Sequence, residues 1–322
     1  MKIAIAGYGN LGKAVQKALE YFTDFELVGI FTRRDVSQVD FCTQAPVYSF
    51  EDITKFTDKI DVVLNCMGSA TDLPYTTPLL ANNFNVIDTF DTHSVIKNHY
   101  DLVDSIAKQT GHTAMISIGW DPGLFSLNRL FMRAILPVGK DYTFWGDGVS
   151  QGHSDAIRHI FGVVDAKQYT VPIQSAVYKV RSGQNEDFTA RQMHKRVCYV
   201  AANEGADLEK IEQEIKSMPN YFADYDTEVN FIDYESFLIE HEGLKHAGTV
   251  IRNGETPSGT TTVEYSLNLA SNPEFTANIM LCYARALLKM HQAKHYGAYT
   301  IFDVKPKDLI GENDTEIYNG LL

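Results

Sequence analysis

Short apolar runs rich in β-branched residues alternate with helix-like spacings over the first 120 residues, the pattern of a parallel sheet with crossover helices. Lys2–Ala6, Leu27–Thr32, Asp61–Met67, Asn85–Phe90 and Thr113–Gly119 are the predicted strands. Between the first two, Leu11, Ala14, Val15, Ala18 and Leu19 recur at helical spacing, which sets one apolar helix face against the sheet and completes a βαβ unit. After Gly119 the pattern changes. Asp121-Pro-Gly123 is turn or helix-start chemistry, and Leu124–Leu136 reads as an apolar helix ended by Pro137. The first domain is therefore expected to close at residue 120. From Tyr142 to about Asn268, the runs Tyr142–Trp145, Val197–Ala201, Glu228–Ile232 and Thr260–Leu269 mix with a charged helix, Asp207–Met218. Residues 121–269 are expected to form an α+β second domain. Pro273 opens a long helical pattern through about His295, with Phe275, Ile279, Cys282, Ala286 and Met290 on one side, so residues 270–322 are expected to pack back on the first domain.

Composition narrows the function classes. With 28 basic and 41 acidic residues, a net charge of −13 opposes sequence-independent attraction to phosphate backbones or anionic lipid, so nucleic-acid and membrane partners are not expected. No apolar run reaches the roughly 18 residues of a membrane span. The apolar stretch after Lys2 is too short for a secretion signal. A cytoplasmic location follows as the expectation, and the glycosylation pattern Asn313-Asp-Thr315 then counts as chance. Cys42, Cys66, Cys198 and Cys282 are widely separated with no CxxC pair, which implies neither a disulfide framework nor a zinc ribbon. His153, Asp155 and His159 fit no common metal-ligand spacing, and no metal is expected.

Gly7-Tyr-Gly9-Asn10-Leu11-Gly12 is a complete GxGxxG following a strand and opening a helix. The first glycine permits the tight turn, the second lets backbone approach a pyrophosphate, and the third allows close packing of helix on strand. The second strand ends Thr32-Arg33-Arg34 where an acidic residue would suit a free ribose 2′-hydroxyl. Two guanidiniums there match the 2′-phosphate of NADP, against the alternative of a solvated surface pair, with Asp35 next to them as a counter-signal. Cys66-Met67-Gly68-Ser69-Ala70-Thr71 ends a third strand in small residues, suited to a nicotinamide ribose or pyrophosphate, or equally to a plain loop. Cys66 itself reads as a buried small hydrophobe. The expected fold class is thus α/β, with a Rossmann-type dinucleotide domain and a second α+β domain.

Asp91 follows the fourth strand and Trp120-Asp121-Pro122-Gly123 follows the fifth, which sets both carboxylates on the nicotinamide side, within the cofactor-contact set. Paired carboxylates suit a cationic substrate group, and either can accept its proton. Asp121 is equally well explained as a helix cap, and Asp88, inside its strand, is less accessible. In the second domain His194-Lys-Arg196 and His246 are a basic excess in an acidic chain, either a solvated run or a carboxylate anchor.

These segments, together with Phe144-Trp-Gly-Asp-Gly-Val-Ser-Gln-Gly-His-Ser-Asp155, Gln168-Tyr-Thr-Val-Pro172, Val229-Asn-Phe-Ile-Asp233 and Asn272-Pro-Glu-Phe-Thr276, resemble meso-diaminopimelate dehydrogenases over nearly the whole chain. The resemblance implies NADP-dependent oxidative deamination at the D-centre of meso-2,6-diaminopimelate and a homodimer. It implies Asp91, Trp120 and Asp121 around the reacting centre, with Asp91 and Asp121 as catalytic candidates. Trp145, Gln151 and Gly152 line the wall, and Thr170, Arg196, His246 and Asn272 hold the distal L-centre. Asp147 departs from the family pattern by adding a charge. The competing readings are a dihydrodipicolinate-reductase-like or aspartate-dehydrogenase-like enzyme and a non-catalytic NADPH-binding sensor. Leu124–Leu136 suits either a dimer interface or a core.

Overall fold

The computed structural model describes residues 1–37 and 43–322, which leaves Cys42 outside the described residues. The chain divides into two compact units, Met1–Leu127 with Pro273–Leu322, and Asn128–Asn272.

The first unit is built on β1 (Lys2–Ala6), α1 (Asn10–Ala18), β2 (Glu26–Thr32), β3 (Val47–Ser49), β4 (Val62–Asn65), α2 (Leu73–Ala81), β5 (Val86–Asp88), α3 (Ile96–Thr110) and β6 (Thr113–Met115). A seventh strand, Gly297–Tyr299, joins β6, and the sheet order is Gly297–Tyr299, β6, β5, β4, β1, β2, β3. Every pairing in it is parallel. This is the doubly wound order, which reverses direction beside β1 and opens a crevice at the carboxyl ends of β1 and β4. The central strands are mostly apolar because both faces are covered: Ile3, Ile5, Val62, Val63, Leu64, Val86 and Ile87 have no exposed surface. A core of Phe31, Leu73, Leu80, Phe84, Phe90, Val103 and Ala107 packs the helices against it. Helix α3 stops at Gly111, whose φ of +73° is the left-handed cap that a side chain disfavours. Three of the predicted first-domain strands, those at 61–67, 85–90 and 113–119, are shorter in the structure, and β3 and Gly297–Tyr299 extend the sheet beyond the predicted set.

The second unit contains most of α4 (Leu124–Ile135), then β7 (Gly139–Trp145), β8 (Gly148–Val149), α5 (Gln151–Arg158), β9 (Val163–Pro172), α6 (Gln174–Arg181), α7 (Ala190–Met193) and β10 (His194–Ala202). Helix α8 (Leu208–Ser217), β11 (Asp226–Phe231), α9 (Tyr234–Glu240), β12 (His246–Thr256) and β13 (Gly259–Leu269) complete it. One sheet runs β11, β10, β9, β8 and the other β13, β12, β7. Ile157, Ile160, Cys198, Val200, Ile211, Ile215 and Phe222 form one core and Tyr142, Phe144, Val177, Val180 and Ile251 another. The unit is α+β, as the sequence predicts, with β8, β9 and β12 added.

Helix α10 (Asn272–Gln292) leads back into the first unit, and a terminal helix, α11 (Asp314–Leu321), follows. Asn313 serves a structural purpose: its side chain accepts from the amides of Thr315 and Glu316 and caps α11. Leu124–Leu136 divides its apolar stripe. Phe125, Met132 and Leu136 are buried, whereas Leu130, Phe131 and Ile135 are exposed, Ile135 by 70%. No helix among the described residues is long and apolar enough to cross a membrane.

Candidate active site

The glycine loop at the end of β1 has the geometry its spacing predicts. Gly7 adopts φ +91° and donates its N–H to the Phe31 carbonyl at 2.8 Å. A Cβ on Gly12 would stand 2.1 Å from the Gly7 carbonyl oxygen, so only glycine lets α1 approach this closely. Around Gly9, by contrast, nothing lies within 4 Å of where a Cβ would be. The space over the second glycine is open, at the start of a helix whose amides favour anions, and this fits a pyrophosphate.

Of the two guanidiniums after β2, one reaches this loop and the other the loop after β4. Arg34 donates through Nη2 to the Tyr8 carbonyl at 2.6 Å, and Arg33 Nη2 pairs with Asp72 at 2.6 Å. Asp35 turns away to its own chain. Its carboxylate accepts from the amide and hydroxyl of Ser37, and these bonds hold its pKa below the usual carboxylate range. The counter-signal at this strand end is therefore a local turn.

Residues Cys66–Thr71 form the loop after β4. Cys66 is buried, which pushes its thiol pKa far up and leaves it inert, as expected of a small hydrophobe. A Cβ on Gly7 would meet Met67 Cγ at 2.9 Å, so the loops after β1 and β4 are in contact. Asp72 accepts from Gly68 N at 3.1 Å while pairing with Arg33, and Ser69 hydrogen-bonds the carboxylate of Asp91 and accepts the Asp91 amide at 3.0 Å. One chain of polar contacts thus runs from Arg33 through the Cys66–Asp72 loop to Asp91. Ala70 and Thr71 are exposed along it.

Asp121 stands in a closed turn. Trp120 bridges to Gly123 and packs edge-on against Phe125, ring centroids 5.2 Å apart. Gly123 has φ +136° and no room for a Cβ, which would lie 1.6 Å from the Gly119 oxygen. The amides of Leu124 and Phe125 are taken by the carbonyls of Gly119 and Trp120, and Gly123 N by Ser126 Oγ at 3.3 Å. Main chain and Ser126 thus serve these amides at the start of α4, which begins three residues past Asp121.

In the second unit the basic residues are buried. Arg196 pairs with Thr170 across β10 and β9, donates to Thr170 Oγ1, and lies 3.9 Å from the centroid of the Tyr225 ring. It is 8% exposed, and burial pulls its pKa down from the usual guanidinium value while Tyr225 opposes the shift. Its Nε and the Gln168 Oε1 beside Thr170 are buried with no protein partner. His194 accepts the Trp145 N–H through Nε2 at 2.9 Å. Burial, with the positive charge of Arg196, lowers both His194 and His153 to about 4, so both rings are neutral at neutral pH.

Close backbone packing gathers the remaining residues. A Cβ on Gly146 would lie 2.2 Å from Pro172 Cδ, and one on Gly148 would lie 2.6 Å from the His246 ring. Gly148 pairs with Thr170, and Gly248, two residues past His246, pairs with Trp145. Gln151 and Gly152 begin α5 immediately after β8, exposed, and Asn272 donates its amide to Leu244 at 2.9 Å, two residues before His246. Trp145, Gln151, Gly152, Thr170, Arg196, His246 and Asn272 thus belong to one neighbourhood. His153, Gln168 and Tyr225 join it although they were not among the expected site residues. Glycines at 146 and 148 were the available signal for the close packing, and nothing in the pattern around Tyr225 announced its ring. His159 Nδ1 bonds the Asp155 carbonyl at 2.8 Å within its own helix, and His153 Nδ1 bonds Ser150 Oγ at 2.7 Å.

Comparison with known proteins agrees with this architecture. Residues 119–271 match the family described as the diaminopimelic acid dehydrogenase C-terminal domain. The meso-diaminopimelate D-dehydrogenase of Acetivibrio thermocellus is 51% identical over 100% of this chain and 98% of its own. The C. glutamicum DAP dehydrogenase solved in complex with DAP superposes with a TM-score of 0.94 at 44% identity, covering 100% of this chain and 99% of its own. An engineered D-amino acid dehydrogenase bound to NADP+ gives 0.90 at 42% identity, covering 100% and 99%. With a dinucleotide-type first unit and relatives this similar along the whole chain, the chain belongs to the meso-diaminopimelate D-dehydrogenase family.

Proposed function

We propose that this chain catalyses the reversible, NADP-dependent oxidative deamination of meso-2,6-diaminopimelate at its D-centre, giving L-2-amino-6-oxopimelate, ammonia and NADPH. In reverse the reaction fixes ammonia on the route to lysine. The observation that carries the reading is Arg196: a buried guanidinium, stacked on Tyr225, with an Nε that no protein group satisfies. Such a group is a carboxylate anchor, and a diacid substrate needs one remote from the reacting carbon.

In this reading NADP, held by Gly7, Gly9, Asn10, Leu11, Gly12, Thr32, Arg33, Arg34 and the Cys66–Thr71 loop, supplies the hydride acceptor. Arg33 and Arg34 favour the 2′-phosphate. Asp91 and Asp121 hold the D-centre ammonium, and one of them takes its proton, directly or through water. Trp120, Trp145, Gln151 and Gly152 wall the substrate, with Pro122 and Gly123 beside the cofactor. Thr170, Arg196, His246 and Asn272 hold the L-centre, which distinguishes the two ends of a nearly symmetric molecule. Residues 1–120 and 270–322 form the dinucleotide-binding part, and 121–269 bind substrate and mediate dimerisation. The exposed Leu130, Phe131 and Ile135 favour a homodimer, and the location is cytoplasmic.

The test is reduced-nicotinamide absorbance with NADP or NAD and, separately, the meso, LL and DD isomers. Turnover with NADP and the meso isomer, weak with LL, is expected. NADPH binding without turnover on any isomer would favour the sensor reading.

A further inference from the structure

Asp88 closes β5 with no exposed surface, and its carboxylate is shared by donors from three separate stretches of the first unit. Oδ1 accepts the Phe90 amide at 3.0 Å and the Ser117 amide at 2.9 Å, and Oδ2 lies 2.6 Å from Nε2 of His99 on α3. The Asp88 carbonyl takes the Ile118 amide at 2.9 Å. His99 is buried and lies against the Phe90 ring, centroids 4.3 Å apart. A buried carboxylate is costly unless its lone pairs are used, and here they serve two loops rather than the strand ladder. Phe90 directly precedes Asp91. Ser117 and Ile118 lead to Trp120 and Asp121, and Ser117 holds φ +58°, a conformation that a non-glycine residue keeps when its surroundings enforce it.

We propose that Asp88, clamped by His99, is a positioning residue that sets the loop carrying Asp91 against the loop carrying Asp121. The inference rests on the reading that these two carboxylates hold the reacting centre. Because one oxygen serves both amides, losing it frees both loops together. Misplacement of reacting groups by about 1 Å costs roughly 10²-fold in rate.

Asp88→Ala, Asp88→Asn and His99→Leu, made in the full chain, test this beside Asp91→Asn and Asp121→Asn. Melting curves come first, so that kinetics are read where each variant is folded. In Asp88→Ala, kcat on meso-diaminopimelate is expected to fall about 10²-fold. NADPH affinity, read by fluorescence, is expected to fall much less than kcat, since the bonds described for Gly7–Gly12, Arg33 and Arg34 do not involve Asp88. The Asn carboxamide oxygen still accepts both amides, and its NH2 can donate to the other His99 tautomer, so Asp88→Asn is expected to recover most of kcat. Should Asp88→Ala not fold, His99→Leu releases Oδ2 and carries the same expectation at several-fold. Parent kcat in whichever of these two variants is read, or an Asn variant as impaired as Ala, overturns the proposal. If Asp91→Asn and Asp121→Asn keep full activity, the assignment of the reacting centre fails instead, and the proposal falls with it.

Discussion

Arg196→Met removes the buried guanidinium while keeping much of the volume of its stem, so the Tyr225 ring and the Thr170 hydroxyl lose their partner without a large void. Hydrogen bonds to charged groups contribute about 1.5–3 kcal/mol, and truncating one partner of a buried charge pair costs about 2–5 kcal/mol. Arg196 is 8% exposed, so the screening that weakens surface pairs is largely absent. A loss near 3 kcal/mol corresponds to roughly 10²-fold in kcat/KM for meso-diaminopimelate. Because the anchor acts on the distal carboxylate, the loss should nearly vanish for a D-amino acid that lacks one. The assay is steady-state NADPH formation on both substrates, with NADPH affinity and melting temperature as controls. Equal losses on the two substrates would refute the anchor and mark Arg196 as a structural residue. A fall below about threefold on meso-diaminopimelate would refute it as well.

Arg33→Ala is expected to weaken NADPH binding by about tenfold or more and to spare NADH, because of the two cofactors only NADPH carries the 2′-phosphate that the guanidinium would bind; fluorescence titration with both cofactors checks this. His153 and His194 have native pKa values lowered to about 4 from 6.5, so the unfolded chain binds more protons between these limits. Stability is therefore expected to be full above about pH 6.5 and to fall as pH drops toward about 4, with up to two protons taken up on unfolding. Urea melts across that window measure it, and His194→Gln, whose amide oxygen can still accept from Trp145 N–H, should reduce the slope. Phe131→Glu with Ile135→Glu is expected to yield a monomer in light scattering while leaving the first unit's NADPH binding intact, because both side chains are exposed on α4.

Legibility followed burial. Strands β1, β2 and β4 were readable because the sheet is covered on both faces, so Ile3, Ile5, Ile30 and Val62–Leu64 form continuous apolar runs. Strand β9 escaped because its inward positions are Ala166, Gln168 and Thr170, two of them polar, which inverts the expected alternation. Strand β12 escaped for a related reason: Arg252 and Asn253 are buried in its middle, Arg252 on Asp141 and the Leu136 carbonyl, Asn253 on the Val180 carbonyl. At the sheet's two edges, β3 and Gly297–Tyr299 are three residues each with one aliphatic side chain apiece, so no apolar run marks them.

Whatever depends on neighbours in the chain was readable before any fold: the glycine spacing of Gly7, Gly9 and Gly12, the arginine pair after β2, and the turn chemistry of Asp121-Pro-Gly123. Asp88 was legible as inaccessible, and the structure agrees. Only tertiary structure decided that Arg196 is buried under Tyr225, that Arg33 meets Asp72, and that Asp88 joins Phe90, His99 and Ser117. The reason is physical. A turn's conformation is set by a few adjacent dihedrals, whereas a buried polar group survives only where distant segments supply its partners, and no local pattern encodes which segments those are.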